Sequence, residues 1–274
     1  MIKATLQCFI VLLFLSSCVN QITTDIYHEP QVVISGILGN GNTYFTIEIV
    51  KTTPLNDNRK DPINDARIAL YSKDSEDNTQ LVTDEFTVNN GVYQSAESIK
   101  THTGSSYWIE VNFSDGLCFK SSEEKLLAPI EIDRLEITDN IIRVVFGDPV
   151  EMNNQYVVFA SFYTGDQLIV NQVVTATDVL FNGNPNAFIE VYENIGDRVT
   201  VELSHMEAAS YHFFLNVERQ SENNEGINEK IGDPGQLFRQ PPSQLFGNIS
   251  SCTSDERVLG NFSVVSFSQA NENL

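Results

Sequence analysis

Four cysteines and four histidines carry the widest chemical reach in this chain. Cys18 closes the run Leu15-Ser16-Ser17-Cys18, a branched side chain, two small ones and a thiol. Small residues let the backbone enter a signal peptidase, and the thiol can take up diacylglycerol. The pattern therefore predicts cleavage before Cys18 and acylation of its sulfur. Lys3 supplies a positive charge ahead of an apolar run from Cys8 to Leu15, well short of the roughly 20 residues that span a bilayer. Residues 1–17 read as a signal peptide and 18–28 as a lipidated tether, held stably because several acyl chains share one residue. Val19, and not Asp, follows the cysteine, which argues for passage to the outer membrane. Cys8 leaves with the leader, so Cys118 and Cys252 remain. An exported compartment permits a disulfide between them. They fall at the ends of what read as different domains, and a bridge needs Cα atoms within about 7 Å. The expectation is two buried free thiols.

The histidines are His28, His102, His205 and His212. Read on one helix, His205 and His212 share a face but lie about 10 Å apart along its axis, too far for one metal ion. A hydrolase would need one of them to converge with a serine and an acid, yet no Gly-x-Ser-x-Gly elbow is present. With 37 acidic residues, close carboxylate pairs arise by chance and carry no signal for glycoside cleavage. The loop Asp57-Asn58-Arg59-Lys60-Asp61 and the acids Asp74, Glu76 and Asp77 offer oxygen ligands, but without the regular order of a calcium loop. No phosphate-binding glycine motif is present. The expectation is a non-enzymatic protein with no cofactor and no metal. Aromatic residues offer the remaining candidate site: Tyr156, Phe159, Phe162 and Tyr163 fall on one strand. Phe159 and Tyr163 point one way and Tyr156 and Phe162 the other, so one pair is core and the other a candidate binding face.

These residues need elements to hold them, and the elements are mostly strands. From Glu29 to about Ala128, short apolar or alternating runs recur at intervals near ten residues, among them 31–38, 44–50, 66–71, 106–113 and 118–121. Asn90-Gly91 and Asp115-Gly116 supply hairpin turns. This spacing predicts an immunoglobulin-like or transthyretin-like β-sandwich over 29–128, with Trp108 in its core. Pro129 marks a boundary. A second antiparallel β domain over 129–274 follows, with strands at 131–137, 141–146, 155–163, 187–192 and 197–203 and a last strand at 260–267. One amphipathic helix stands out at about 205–221, opened by the capping box Ser204-His205-Met206-Glu207 and packed on the second sheet. Residues 223–248 read as an extended connection.

Composition sets the outer limits. The formal charge is −21, and loss of residues 1–17 with their one lysine makes it −22. Phosphate backbones are bound by lysine and arginine, so nucleic acid is excluded as a partner. Acidity of this size keeps an exported protein soluble.

Several segments resemble a known family. Gly196-Asp197-Arg198-Val199-Thr200-Val201-Glu202-Leu203-Ser204, Tyr211-His212-Phe213-Phe214, Pro241-Pro242, Phe246-Gly247-Asn248-Ile249-Ser250 and Leu259-Gly260-Asn261-Phe262-Ser263 occur in the order of the domain-of-unknown-function-4249 lipoproteins of Bacteroidota. The lipobox, Val32-Val33-Ile34-Ser35-Gly36-Ile37 and Pro62-Ile63-Asn64-Asp65-Ala66-Arg67-Ile68 resemble it too. Relatives are richer in tyrosine where this chain has Met152-Asn153-Asn154-Gln155-Tyr156. The resemblance covers nearly the whole mature chain, and its motifs are structural. It implies an envelope protein often encoded beside TonB-dependent outer-membrane receptors, with no activity to transfer. The expected function is an outer-membrane lipoprotein serving such a receptor as a binding or accessory component, with a glycan or peptide as the expected ligand class. The alternative is a structural or adhesive envelope protein without a small ligand.

Overall fold

The computed structural model describes residues 28–54, 59–138, 140–150, 153–192, 196–229, 245–253 and 257–274. The signal peptide, Cys18 and most of the tether lie outside them, as do Asp57, Asn58 and Met152. The N-terminal half holds β1 (Val32–Gly39), β2 (Asn42–Thr43), β3 (Thr46–Lys51), β4 (Asp61–Pro62), β5 (Arg67–Lys73) and β6 (Thr79–Thr83). It continues with β7 (Phe86–Asn89), β8 (Val92–Ser95), β9 (Ile99–Lys100), β10 (Ser106–Asn112), β11 (Cys118–Ser121) and β12 (Glu124–Lys125). The second half holds β13 (Ile132–Thr138), β14 (Ile141–Phe146), β15 (Gln155–Thr164), β16 (Gln167–Thr177), β17 (Ala187–Tyr192) and β18 (Arg198–Met206). Helix α1 (Ala208–Glu229), β19 (Phe246–Ser251) and β20 (Arg257–Asn273) complete the chain.

Strand alternation buries one face of each run, and two sandwich cores result. Ile34, Leu38, Phe45, Ile47, Ile109 and Phe262 are among the residues of the first. Ile142, Val144, Phe146, Tyr156, Phe162 and Val201 are among those of the second, between β13-β14-β17 and the sheet β16-β15-β18-β20. The two cores share a spine. β20 is 17 residues long, about 56 Å at the usual rise per strand residue. Its first part runs parallel to β1 from Val33↔Leu259 to Gly39↔Val265, and its second part antiparallel to β18 from Met206↔Val265 to Arg198↔Asn273. β19 pairs with β11 on one side and β20 on the other. The boundary at Pro129 would leave this C-terminal segment wholly with the second unit, whereas its pairing divides it between both.

Side chains take over where neighbouring strands stop. The Asn40 carboxamide accepts from the Phe267 amide at 3.0 Å and donates to its carbonyl at 3.3 Å, just past the end of β1. Asn248 treats Phe262 in the same way, at 3.0 and 2.7 Å. Each satisfies a backbone donor and acceptor that burial would otherwise leave costly. Two glycines allow the strands to approach. Gly260 has φ +96°, and a Cβ there would lie 2.0 Å from the Ile34 carbonyl oxygen. A Cβ on Gly247 would lie 2.2 Å from Asn261 Oδ1.

The turns at Asn90-Gly91 and at Gly116 have the positive φ expected of them. Three expectations change. The helix begins at Ala208 and runs to Glu229, into the stretch 223–248 expected to be an extended connection, while Ser204, His205 and Met206 belong to β18. Pairing to β15 and β20 on its two edges holds β18 extended through these residues, which outweighs the local capping signal. Trp108 is buried, but Tyr107, Ile109 and Val111 face the core, so alternation turns Trp108 to the outer side. There it stacks on Tyr71 at 5.4 Å beneath the Lys120 ammonium at 5.3 Å. Finally, Cys118 and Cys252 form a disulfide, with Cα atoms 5.4 Å apart. The free-thiol expectation fails because it assigned the two cysteines to separate domains. In the fold, β11 and β19 are hydrogen-bonded neighbours, and the Cys252 amide donates to the Cys118 carbonyl at 3.0 Å.

Candidate functional site at the waist between the two cores

A cleft of about 520 Å³ opens where β12, the start of β15, the end of β18 and the first turn of α1 meet. Glu123, Glu124, Asn153, Asn154, His205 and Glu207 are among its lining residues. Glu124 is 1% exposed. It accepts from the Asn248 carboxamide on β19 at 3.0 Å and from the Ser210 hydroxyl on α1 at 3.0 Å. Burial pushes its carboxyl above the usual range, and neighbouring Glu207 adds to this, while the bonds from Asn248 and Ser210 pull the other way. The network extends inward: Asn261 donates to Ser210 at 3.3 Å and to Ser263 at 2.7 Å, and its oxygen accepts from the Asn248 amide at 2.9 Å.

Glu207 ties β12 to the helix. Its carboxylate accepts from the Lys125 amide at 3.0 Å, and its carbonyl accepts from the Tyr211 amide at 3.0 Å. Glu123 is ion-paired with Lys73. His205 donates from Nδ1 to the Ala128 carbonyl at 2.9 Å, and its ring lies 5.4 Å from that of Tyr156. Behind that ring the Tyr156 hydroxyl donates to Asp148 at 2.5 Å, and Asp148 also accepts from the Gly183 amide at 2.7 Å. Burial first, and then the bond to Asp148, raise the Tyr156 phenol well above its ordinary value, so it keeps its proton. Asp178, also buried, accepts from the Asn154 amide at 2.9 Å. Carboxylates and carboxamides make up half of the cleft lining, which includes no lysine or arginine among the described residues.

The four aromatic residues singled out from the sequence do not form one exposed face. Tyr156 and Phe162 are fully buried in the second core. Phe159 lies under α1, its ring 5.3 Å from Phe214. Tyr163 is half-buried, with the Arg198 guanidinium 4.3 Å from its ring. Alternation paired the four correctly, and the helix then covered half of the outward pair. Exposed aromatics stand instead at Tyr44 and, on β17, at Phe188 and Tyr192. His205 and His212 are on a strand and on the exposed side of α1, not on one helix. Asp74 closes its own loop by accepting from the amides of Glu76 and Asn78 and from the Asn78 side chain, which hold its carboxyl below the usual value. Sequence reasoning missed Glu124, Ser210, Asp148 and Asp178. The Gly-Asn pairs at 247–248 and 260–261 were visible as motifs, without their partners.

Fold and site together define a mostly β protein with two sandwich cores on a shared spine and a polar cleft between them. The chain belongs to the family described as domain of unknown function (DUF4249), whose model matches residues 19–271. No curated protein matches it. Among solved structures it is similar to a cytokine receptor complex at 12% identity, covering 65% of this chain and 86% of that one, TM-score 0.26. It is also similar to a tetra-tandem repeat in the extending region of a large adhesion protein, at 14% identity over 65% of this chain and 45% of that one, TM-score 0.24. Chicken CNTN1 FN1-FN3 domains match at 14% identity over 65% and 60%, TM-score 0.22. Likenesses this distant carry no argument.

Proposed function

We propose that this chain is an exported, lipid-anchored, non-enzymatic binding or accessory component of the outer membrane, serving a TonB-dependent receptor. The observation that carries export is the Cys118–Cys252 disulfide, since such bonds persist in oxidising compartments and are rare in reducing ones. The lipobox ending in Cys18 supports the anchor. His28, the first described residue, sits beside the end of β3, where its Nε2 meets the Thr52 carbonyl at 2.9 Å. This is the end of the molecule where β1 and β20 begin, so the tether would enter there and the second core would stand away from the lipid.

The anchor is tested by fractionating cells that express the Cys18→Ser protein. It should leave the membrane pellet for the soluble fraction, and equal retention would sink the reading. The receptor role is tested by solubilising membranes and purifying the product of a neighbouring receptor gene. The wild-type chain should co-purify with it, and its consistent absence would remove that half of the proposal.

A further inference from the structure

The sheet β16-β15-β18-β20 has two faces of different character. Tyr156, Phe162, Val199 and Val201 fill the second core from one of them. Alternation turns Ser161 and Thr200 to the other face, where α1 packs toward the waist on Val157, Phe159 and Met206. Farther along the strands one row crosses all four: Asn171 lies opposite Ser161, Ser161 opposite Thr200, and Thr200 opposite Asn271. The Ser161 hydroxyl donates to Asn171 Oδ1 and the Thr200 hydroxyl to Asn271 Oδ1, each at 2.7 Å and each at the surface. Asn171 and Asn271 are exposed and Ser161 and Thr200 half-buried, so the row is open to solvent.

The row is the floor of a trough. Ser161 and Thr200 are short, while the next outward residues along β15 and β18 are large: Phe159 and Glu202 on the waist side, Tyr163 and Arg198 on the far side. At ordinary strand dimensions these walls stand about 13 Å apart, backbone to backbone, and the row between them is about 14 Å long. With its oxygen engaged, each asparagine keeps its Nδ2 hydrogens as donors, and each hydroxyl oxygen keeps acceptor capacity. On the walls, Glu202 accepts from Ser204 at 3.3 Å and Arg198 lies 4.3 Å from the Tyr163 ring; neither has an ion-pair partner among the described residues. An anion would use donors alone and a cation acceptors alone. A neutral floor that offers both, between walls that carry ring carbon, matches the adjacent hydroxyls and C–H faces of a sugar ring. Hydrogen bonds at the surface add little to stability. Their effect here is to fix two carboxamides that would otherwise turn freely, which lowers the ordering cost of binding.

We propose that this trough binds a neutral oligosaccharide laid across the four strands, with Asn171 and Asn271 donating to sugar hydroxyls at its two ends and Ser161 and Thr200 as their positioning residues. The inference gives the binding reading above a ligand class and rests on that reading, but on neither the anchor nor the receptor.

The probes are cellohexaose, maltohexaose and β-linked mannohexaose, titrated calorimetrically into the full lipidated protein in a non-glycosidic detergent. At least one should bind, with little change as salt is raised, because a neutral ligand is not screened. Asn171→Ala and Asn271→Ala should each weaken that binding by about tenfold and leave the thermal unfolding midpoint unchanged. Thr200→Val should weaken binding by the wild type and have no further effect on Asn271→Ala, the non-additivity of a residue that acts through another. Phe188→Ala, at an exposed aromatic outside the trough, should change nothing. The proposal is overturned if no probe binds at about 1 mM, if Phe188→Ala abolishes binding that both asparagine variants keep, or if hexagalacturonate, a charged counterpart, binds more tightly than all three. A failed anchor would show in the Cys18→Ser fractionation and leave these titrations unchanged. Co-purification with the receptor in the absence of any titration signal would keep the accessory role and remove the ligand.

Discussion

Glu124 is a buried carboxylate whose hydrogen-bond partners, Asn248, Ser210 and Ser122, are all neutral. A carboxyl raised in the folded state stabilises the fold fully below its unfolded value, near 4.5. That contribution is lost as pH rises through the raised value. Glu124→Gln keeps the shape and removes the titration. The stability difference between wild type and Glu124→Gln, measured by urea unfolding, should therefore shift in favour of the variant between pH 5 and pH 8. A flat difference would show that the carboxyl is not raised. Glu124→Ala strands two buried donors and should cost about 1–3 kcal/mol.

At the scale of elements, close approach of strands decides which motifs matter. Gly260 sits where β20 passes the carbonyl of Ile34, and its positive φ already disfavours any side chain. Gly260→Ala should destabilise by more than about 2 kcal/mol, through left-handed strain plus the clash with β1. Thermal unfolding would check this, and a near-neutral change would mean that β1 and β20 can part without cost. The Leu259–Ser263 segment was legible in the sequence as a strand start, but its reason was not. Asn261 and Asn248 hold a network that reaches Ser210 on α1, across 51 residues of chain from Asn261. Local patterns do not contain such pairings. The helix start shows the same limit, since a sound capping signal at Ser204 lost to two flanking ladders.

For the whole molecule, the Cys118–Cys252 bond closes a loop of sequence separation 134 and fastens β11 to the segment that leads into the spine. Reduction, or Cys252→Ser, should cost about 2–5 kcal/mol in urea unfolding. Because β20 carries part of both cores, the loss should lower the unfolding midpoint of the two halves together. Separate transitions, with only the N-terminal half affected, would show that the spine does not couple them. Under the proposed lipid anchor, such coupling would give the waist cleft and the second core a fixed place relative to it.

The sequence by itself determined the mostly β class, most strand positions and the turns with positive φ. Each of these depends on residue type and on spacing over a few neighbours. Only the tertiary structure decided the disulfide, the division of β20 between two cores, the burial of Tyr156 and Phe162 and the cleft around Glu124. Each of those depends on which distant strands lie side by side. In a fold built from long-range ladders, that choice is made by the global pairing that buries the most apolar surface while leaving the fewest backbone groups unbonded.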